Sequence, residues 1–277
     1  MYVPLLRGCM VLRSTFILLF LDACFSLFAS EEGSHIYECD TVFERVIGIG
    51  SNCLTKSQIN GYFSPEFPPR ETKSGHADLF DWMRICDYHS FAAALRTGLT
   101  DFFELEDFTI HYEAYGSPHL VDHKSMLWNH KNNMIWRHLF DSAAGQQLWS
   151  AARDGELTPA KLEEIFPQIK TKLNHLKEKF ITAKDHKTLY IIAHYEVDGE
   201  TPPDLNALKE VRDALTAIRG GDTHFTLLFL PHEQKFDGIE NIIVHEAKNL
   251  KSGWDGGDSA RWKEILDAFR FSADIWT

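Results

Sequence analysis

Cysteine is scarce in this chain. Five occur among 277 residues and no two stand in C-x-x-C spacing, so a structural zinc site built on thiolates has little support. Positive charge is short as well. Lys and Arg number 28 against 40 Asp and Glu, for a formal net charge of −12, and no basic run is interleaved with aromatics. Phosphate backbones therefore find no electrostatic partner, and nucleic acid is not expected to bind. Internal repeats and low-complexity segments are also missing, which argues against a solenoid or a linker-like chain.

What remains is ordinary globular material, 44% apolar and 25% charged, long enough for one large or two small domains. The N-terminus stands apart. Arg7 and Arg13 precede T-F-I-L-L-F-L, and A-C-F-S-L-F-A follows Asp22 before S-E-E-G. Charged, apolar and small-residue regions in that order predict a signal peptide over residues 1–30, cleaved near Ala29 or Ser30, and hence an exported, periplasmic or secreted protein. Asp22 would be costly at a bilayer centre, so no stable membrane span is expected once the signal is removed. A start codon placed too early is the alternative, and would leave a cytoplasmic protein.

Cys9 and Cys24 would leave with the signal. Cys39, Cys53 and Cys86 remain, an odd number, so an oxidising compartment allows one disulfide and one thiol. A Cys39 to Cys86 bridge would leave Cys53 free.

Along the mature chain, Val42 to Ile49 is rich in β-branched residues and ends at Gly50, as a buried strand does; Leu54 to Phe63 follows without a breaker. Strand, tight glycine turn and helix form the first unit. Asp87 suits the N-cap of a helix that Gly98 stops, and Thr158 with Pro159 opens a long helix toward Lys184. A strand is expected at Phe108 to Tyr112, with poor periodicity beyond it. T-L-Y-I-I-A-H-Y, H-F-T-L-L-F-L and N-I-I-V-H-E-A read as buried strands, with helices at about Asp204 to Ile218 and Ser259 to Phe271. This alternation predicts an α/β fold, a single domain over residues 40–277 with a mostly parallel sheet flanked by helices.

Gly48-Ile49-Gly50-Ser51-Asn52-Cys53 matches G-x-G-x-x-G except at its last position. Cysteine there, and no second strand ending in an acidic residue, speak against a dinucleotide, and no cofactor is expected. The same geometry suits a thiol. A cysteine in the first turn of a helix meets unpaired backbone N–H groups and the positive end of the dipole, both of which favour thiolate. Those N–H groups could also hold a developing oxyanion, with Ser51 or Asn52 adding a side-chain donor. A buried cysteine packing under the helix accounts for position alone equally well.

V-I-G-I-G-S-N-C followed by L-F-D-W-M and then M-L-W-N-H resembles a bacterial family of unknown function described as papain-like cysteine peptidases, over roughly Val46 to His130. Its members show a strand ending in a G-x-N-C turn, an F-D-W segment and a later histidine. The resemblance implies Cys53 as nucleophile, His130 as the base that takes its proton, and Asp81 as the carboxylate that fixes the imidazole tautomer. Trp82 joins the substrate-binding candidates. Leu79 replaces the family's proline before F-D-W, and Lys131 follows His130 where an acidic residue is common. Asp81 capping a local turn, with F-D-W as core packing, is the competing structural reading.

Other histidines compete with His130, namely His111, His119, His123 and His138 nearby and His194, His232 and His245 near predicted strand ends. His194 or His232 is the reserve base. His119 and His123 would share a face on a helix and could serve a metal, but Pro118 makes a helix doubtful there, and no metal is expected. The expected activity is that of a cysteine peptidase or related thiol hydrolase acting on a peptide or other acyl substrate. An acyltransferase acting on a glycan, or a non-catalytic exported α/β binding protein, would share these features.

Overall fold

Strands β2 (Arg45–Gly48), β7 (Thr188–Ala193), β8 (Phe225–Leu230) and β9 (Ile242–Val244) form a four-stranded sheet in that order, every pair parallel. The computed structural model describes residues 40–50, 52–63, 78–80, 83–115, 122–136, 158–193, 202–222, 224–230, 242–244, 259–273 and 275, with the backbone alone at 52–54, 111–115, 122–126 and 184. All described elements belong to the compact unit Glu38–Thr277.

Alternation along each strand sends successive side chains to opposite faces of the sheet. Ile47, Tyr190, Ile192, Leu227 and Phe229 enter one buried cluster; Val46, Leu189, Ile191, Leu228 and Leu230 enter the other. Both faces are therefore covered, which is why these strands read as continuous apolar runs. The first cluster packs under helices α2 (Tyr88–Arg96), α3 (Pro159–Thr182) and α4 (Leu205–Arg219). The second packs against Ile59 of helix α1 (Asn52–Phe63) and against Trp262, Ile265 and Leu266 of α5 (Ser259–Asp267). Each such fully buried side chain contributes about 1.5–3 kcal/mol relative to exposure.

The helix boundaries follow side-chain chemistry. Asp87 accepts from the N–H groups of His89 and Ser90, Thr158 from that of Lys161 ahead of Pro159, and Asp204 from that of Ala207. Gly220, at φ +73°, closes α4 in the left-handed conformation.

Three departures from expectation have local causes. The first strand is broken at Glu44, because the N–H groups of Glu44 and Arg45 both donate to the Lys187 carbonyl, at 2.8 and 3.2 Å. Two residues opposing one make a bulge, and β1 (Val42–Phe43) pairs instead with β10 (Arg270–Phe271), in parallel. The last helix therefore stops at Asp267, where Phe271 was expected inside it. The largest departure is in the middle of the chain, where β3 (Met83–Ile85), β6 (Met134–Trp136), β5 (Asp122–Asn129) and β4 (Phe108–Tyr115) form an antiparallel four-stranded sheet in that order. The fold is α/β with helices and parallel sheets, joined by this antiparallel one. Among the described residues no helix is long and apolar enough to cross a membrane.

Two buried charged groups tie these layers together. Asp78, with 8% of its side chain exposed, pairs with Arg45 of β2 and stands 3.8 Å from both Lys56 of α1 and Lys179 of α3. Arg219, 2% exposed at the end of α4, donates to the Tyr190 hydroxyl, the Thr188 hydroxyl and the Ala183 carbonyl. Burial pushes the Tyr190 phenol up to about 12, against the opposing pull of Arg219 and Arg45.

Removing one member of a buried ion pair strands its partner, typically at about 3–5 kcal/mol. Asp78→Asn is expected to lower the stability of the folded chain by an amount in that range, measured by urea unfolding, because it removes the carboxylate that three cations from β2, α1 and α3 share. Loss of less than about 1 kcal/mol, the scale of an exposed pair, would contradict this role.

Candidate functional site

The turn that carries Cys53 depends on two positions without side chains. A methyl added at Gly48 would lie 2.9 Å from Thr55 Cγ2, so the bare strand end lets α1 press directly on β2. Gly50, at φ +75°, holds a left-handed backbone that side chains disfavour. A methyl there would also lie 2.5 Å from the Tyr88 hydroxyl and 3.4 Å from Ile85 Cδ1. Between the two glycines the Ile49 N–H still donates to the Ile191 carbonyl at 2.8 Å. Helix α1 then begins at Asn52, which makes Cys53 its second residue. Ser51 and the side chains of Asn52 and Cys53 lie outside the described residues.

His130 occupies the turn between β5 and β6 and is exposed. Its N–H donates to the Asp107 carbonyl at 3.0 Å, and Lys131 Nζ reaches the Asp107 carboxylate at 3.2 Å. The preceding Asn129 is fully buried and builds the turn. Its Nδ2 donates to the Phe102 carbonyl at 3.0 Å, and its Oδ1 accepts from the backbone and side chain of Asn132, at 2.9 and 3.1 Å. Asn133 closes the turn at φ +52°. In W-N-H-K-N-N the asparagines thus do structural work, and the histidine and the lysine are left at the surface.

The two segments converge on β3. Gly50 borders Ile85, the Cys86 N–H donates to the Asn133 carbonyl at 3.0 Å, and Tyr88 begins α2 two residues later. The turn entering the Cys53 helix and the turn carrying His130 therefore meet consecutive residues at the same end of β3. Asp81 and Trp82 lie outside the described residues. Met83, which follows them, pairs with Trp136 at the other end of the strand and donates to the Phe80 carbonyl at 3.2 Å.

His119, His138, His194, His232 and His245 lie outside the described residues, as do the side chains of His111 and His123. Asp122 and His123 stand in strand β5, and the pairing of His119 with His123 lies outside the described residues. Among the described residues no group of three His, Cys, Asp or Glu side chains is placed to hold a metal ion. Cys86 is half-buried, and Cys39 lies outside the described residues, and with it the Cys39 to Cys86 bridge.

One cluster was not foreseen. His89, in the first turn of α2, has its two ring nitrogens facing Glu210 and Asp204 of the α4 segment. D-Y-H-S and D-L-N-A-L-K-E each mark a helix start in the sequence, but nothing local shows that the two starts lie side by side. No family model, curated protein or solved structure matches this chain.

Gly50→Ala is expected to destabilise the protein by about 1–3 kcal/mol through backbone strain, with overpacking against Tyr88 added to it. In a Tyr88→Phe background the overpacking part is relieved and the strain remains. Urea unfolding of the single and double variants measures both parts; strict additivity would show that the hydroxyl does not occupy the turn.

Proposed function

We propose that the protein is a thiol hydrolase of the cysteine peptidase type, with Cys53 as nucleophile. The observation that supports this most is the placement of Cys53 in the first turn of α1, directly beyond the carboxyl end of an edge strand of a parallel sheet. That is where α/β sheets open their ligand crevices, and where a helix N-terminus favours thiolate. The meeting of the His130 turn with the same end of β3 supports His130 as the base. The F-D-W resemblance supports Asp81 as its orienting partner, with Ser51, Asn52 and Trp82 at the substrate.

In this reading the Cys53 thiolate adds to the acyl carbon and the first-turn N–H groups receive the oxyanion. As the carbon to leaving-group bond breaks, His130 passes its proton to the departing amine or alkoxide and a thioester remains. Water then adds to the thioester, His130 takes the proton, and the acid leaves with the thiol restored. A glycan hydroxyl in place of water would make the same site an acyltransferase. A signal-directed export route fits such a substrate range.

Cys53→Ser nearly preserves volume and replaces a strong nucleophile with a weak one. Against a panel of peptide, thioester and acyl-glycan substrates, turnover is expected to fall by about 10³-fold or more, a loss on the scale of removing one member of a catalytic triad, with circular dichroism unchanged. A folded Cys53→Ser protein that turns over at the original rate would end the proposal. Absence of turnover in the parent together with an inert Cys53 would favour an exported binding protein.

A further inference from the structure

We propose that His89 is a pH-responsive clamp between α2 and α4, its ring bridging the N-cap carboxylate of α4 to a second carboxylate in the following turns. The geometry is reciprocal. Nδ1 lies 3.3 Å from Glu210 Oε1, and Nε2 lies 3.8 Å from Asp204 Oδ2. Each carboxylate presents its remaining oxygen to the ring, because the other is already committed. Asp204 Oδ1 accepts from the Ala207 N–H at 2.7 Å, and Glu210 Oε2 pairs with Arg96 of α2 at 3.1 Å.

A neutral imidazole has one N–H and one lone pair, so it can serve one of these carboxylates while its other nitrogen faces the second with no proton to offer. The imidazolium keeps the short contact to Glu210 and adds an ion pair with Asp204 at 3.8 Å. Protonation therefore turns one contact across the helix pair into two, a hydrogen bond and an ion pair. Among the described residues the charged groups around the ring are Glu210 and Asp204 from α4, Asp87 at the start of α2, and Arg96, which reaches it through Glu210. The hydrogen bond to Glu210 raises the proton affinity of His89 above the ordinary value of 6.5, opposed next by desolvation and aided by the charges of Glu210, Asp204 and Asp87. The positive ends of two helix dipoles oppose a cation at this position, and the carboxylates offset them.

The sign follows directly. A group whose proton is held more tightly in the folded state contributes fully below its unfolded value, and its contribution is lost as pH rises through the raised one. The clamp is therefore closed below the ordinary histidine value and opens as pH rises through the raised one. The apolar contact between the helices, built from Phe91, Leu95, Leu208, Val211 and Leu215, does not titrate. Opening should thus loosen the first turn of α4 without unfolding the pair.

Nuclear magnetic resonance on the full chain tests this. The His89 ring is titrated while exchange of the Ala207 and Leu208 amides is followed from acid to alkaline pH, corrected for intrinsic rates. The expected result is a His89 midpoint above that of a free histidine, lowered in both Glu210→Gln and Asp204→Asn. Amide protection should drop about two- to fivefold through the same midpoint, the range that exposed ion pairs span. In His89→Gln the protection should show no step through that midpoint. A midpoint at or below the free value, a midpoint unmoved by Glu210→Gln, or protection in the parent that is flat across the titration would each overturn the clamp.

Discussion

Close approach at the end of β2 is the constraint on which the rest of the arrangement depends. Gly48 lets α1 lie against the strand, and Gly50 lets the Tyr88 hydroxyl and Ile85 reach the turn backbone. Two missing side chains thus allow α1, α2 and the antiparallel sheet to share one corner of the parallel sheet. A bulkier turn would push α2 outward, and with it the apolar face that α2 shares with α4. The position of Cys53 follows from the same constraint, since the chain has only Ile49 to Ser51 in which to leave the strand and enter the helix.

Polar burial completes the corner where apolar contact cannot. Helix α1 buries Thr55, Lys56, Gln58 and Asn60 as well as Ile59, because it wraps the edge of the sheet and is covered on more than one side. Lys56 is tolerated there through Asp78, which also takes Arg45 and Lys179. Arg219 plays a comparable part at the start of β7, where Thr188 lies in register with Arg45, holding the end of α3 and the start of the strand through neutral oxygens. Such pairs cost desolvation, and their value lies in fixing which elements meet.

Features set by neighbours in the chain were legible in the sequence. Asp87, Thr158 with Pro159, and Asp204 cap helices where side-chain chemistry says they should, and the runs at Thr188 and Phe225 form buried strands. The antiparallel sheet was not legible beyond Phe108 to Tyr112, because D-H-K-S-M-L-W-N carries no clean alternation and its pairing with β4 is decided across the hairpin. Two-residue strands such as β1 and β10 have no periodicity to read. The strand, turn and helix around Cys53 were legible from two glycines and a change of pattern. The contact of His89 with Asp204 and Glu210 was not, since it joins helices far apart in sequence.

Chemically, the central claim is that the turn makes Cys53 a better nucleophile than the chain's other thiols, through a helix N-terminus and a nearby base. Cys86, half-buried at the neighbouring corner, is an internal standard in the same molecule. The most direct measurement is competitive alkylation of the native protein with substoichiometric iodoacetamide at mildly acidic pH, read residue by residue by peptide mass spectrometry. The account predicts that Cys53 is modified first and that its advantage over Cys86 shrinks as pH rises toward the ordinary thiol range. Modification of Cys86 ahead of Cys53, or a Cys53 that reacts only after unfolding, would contradict it.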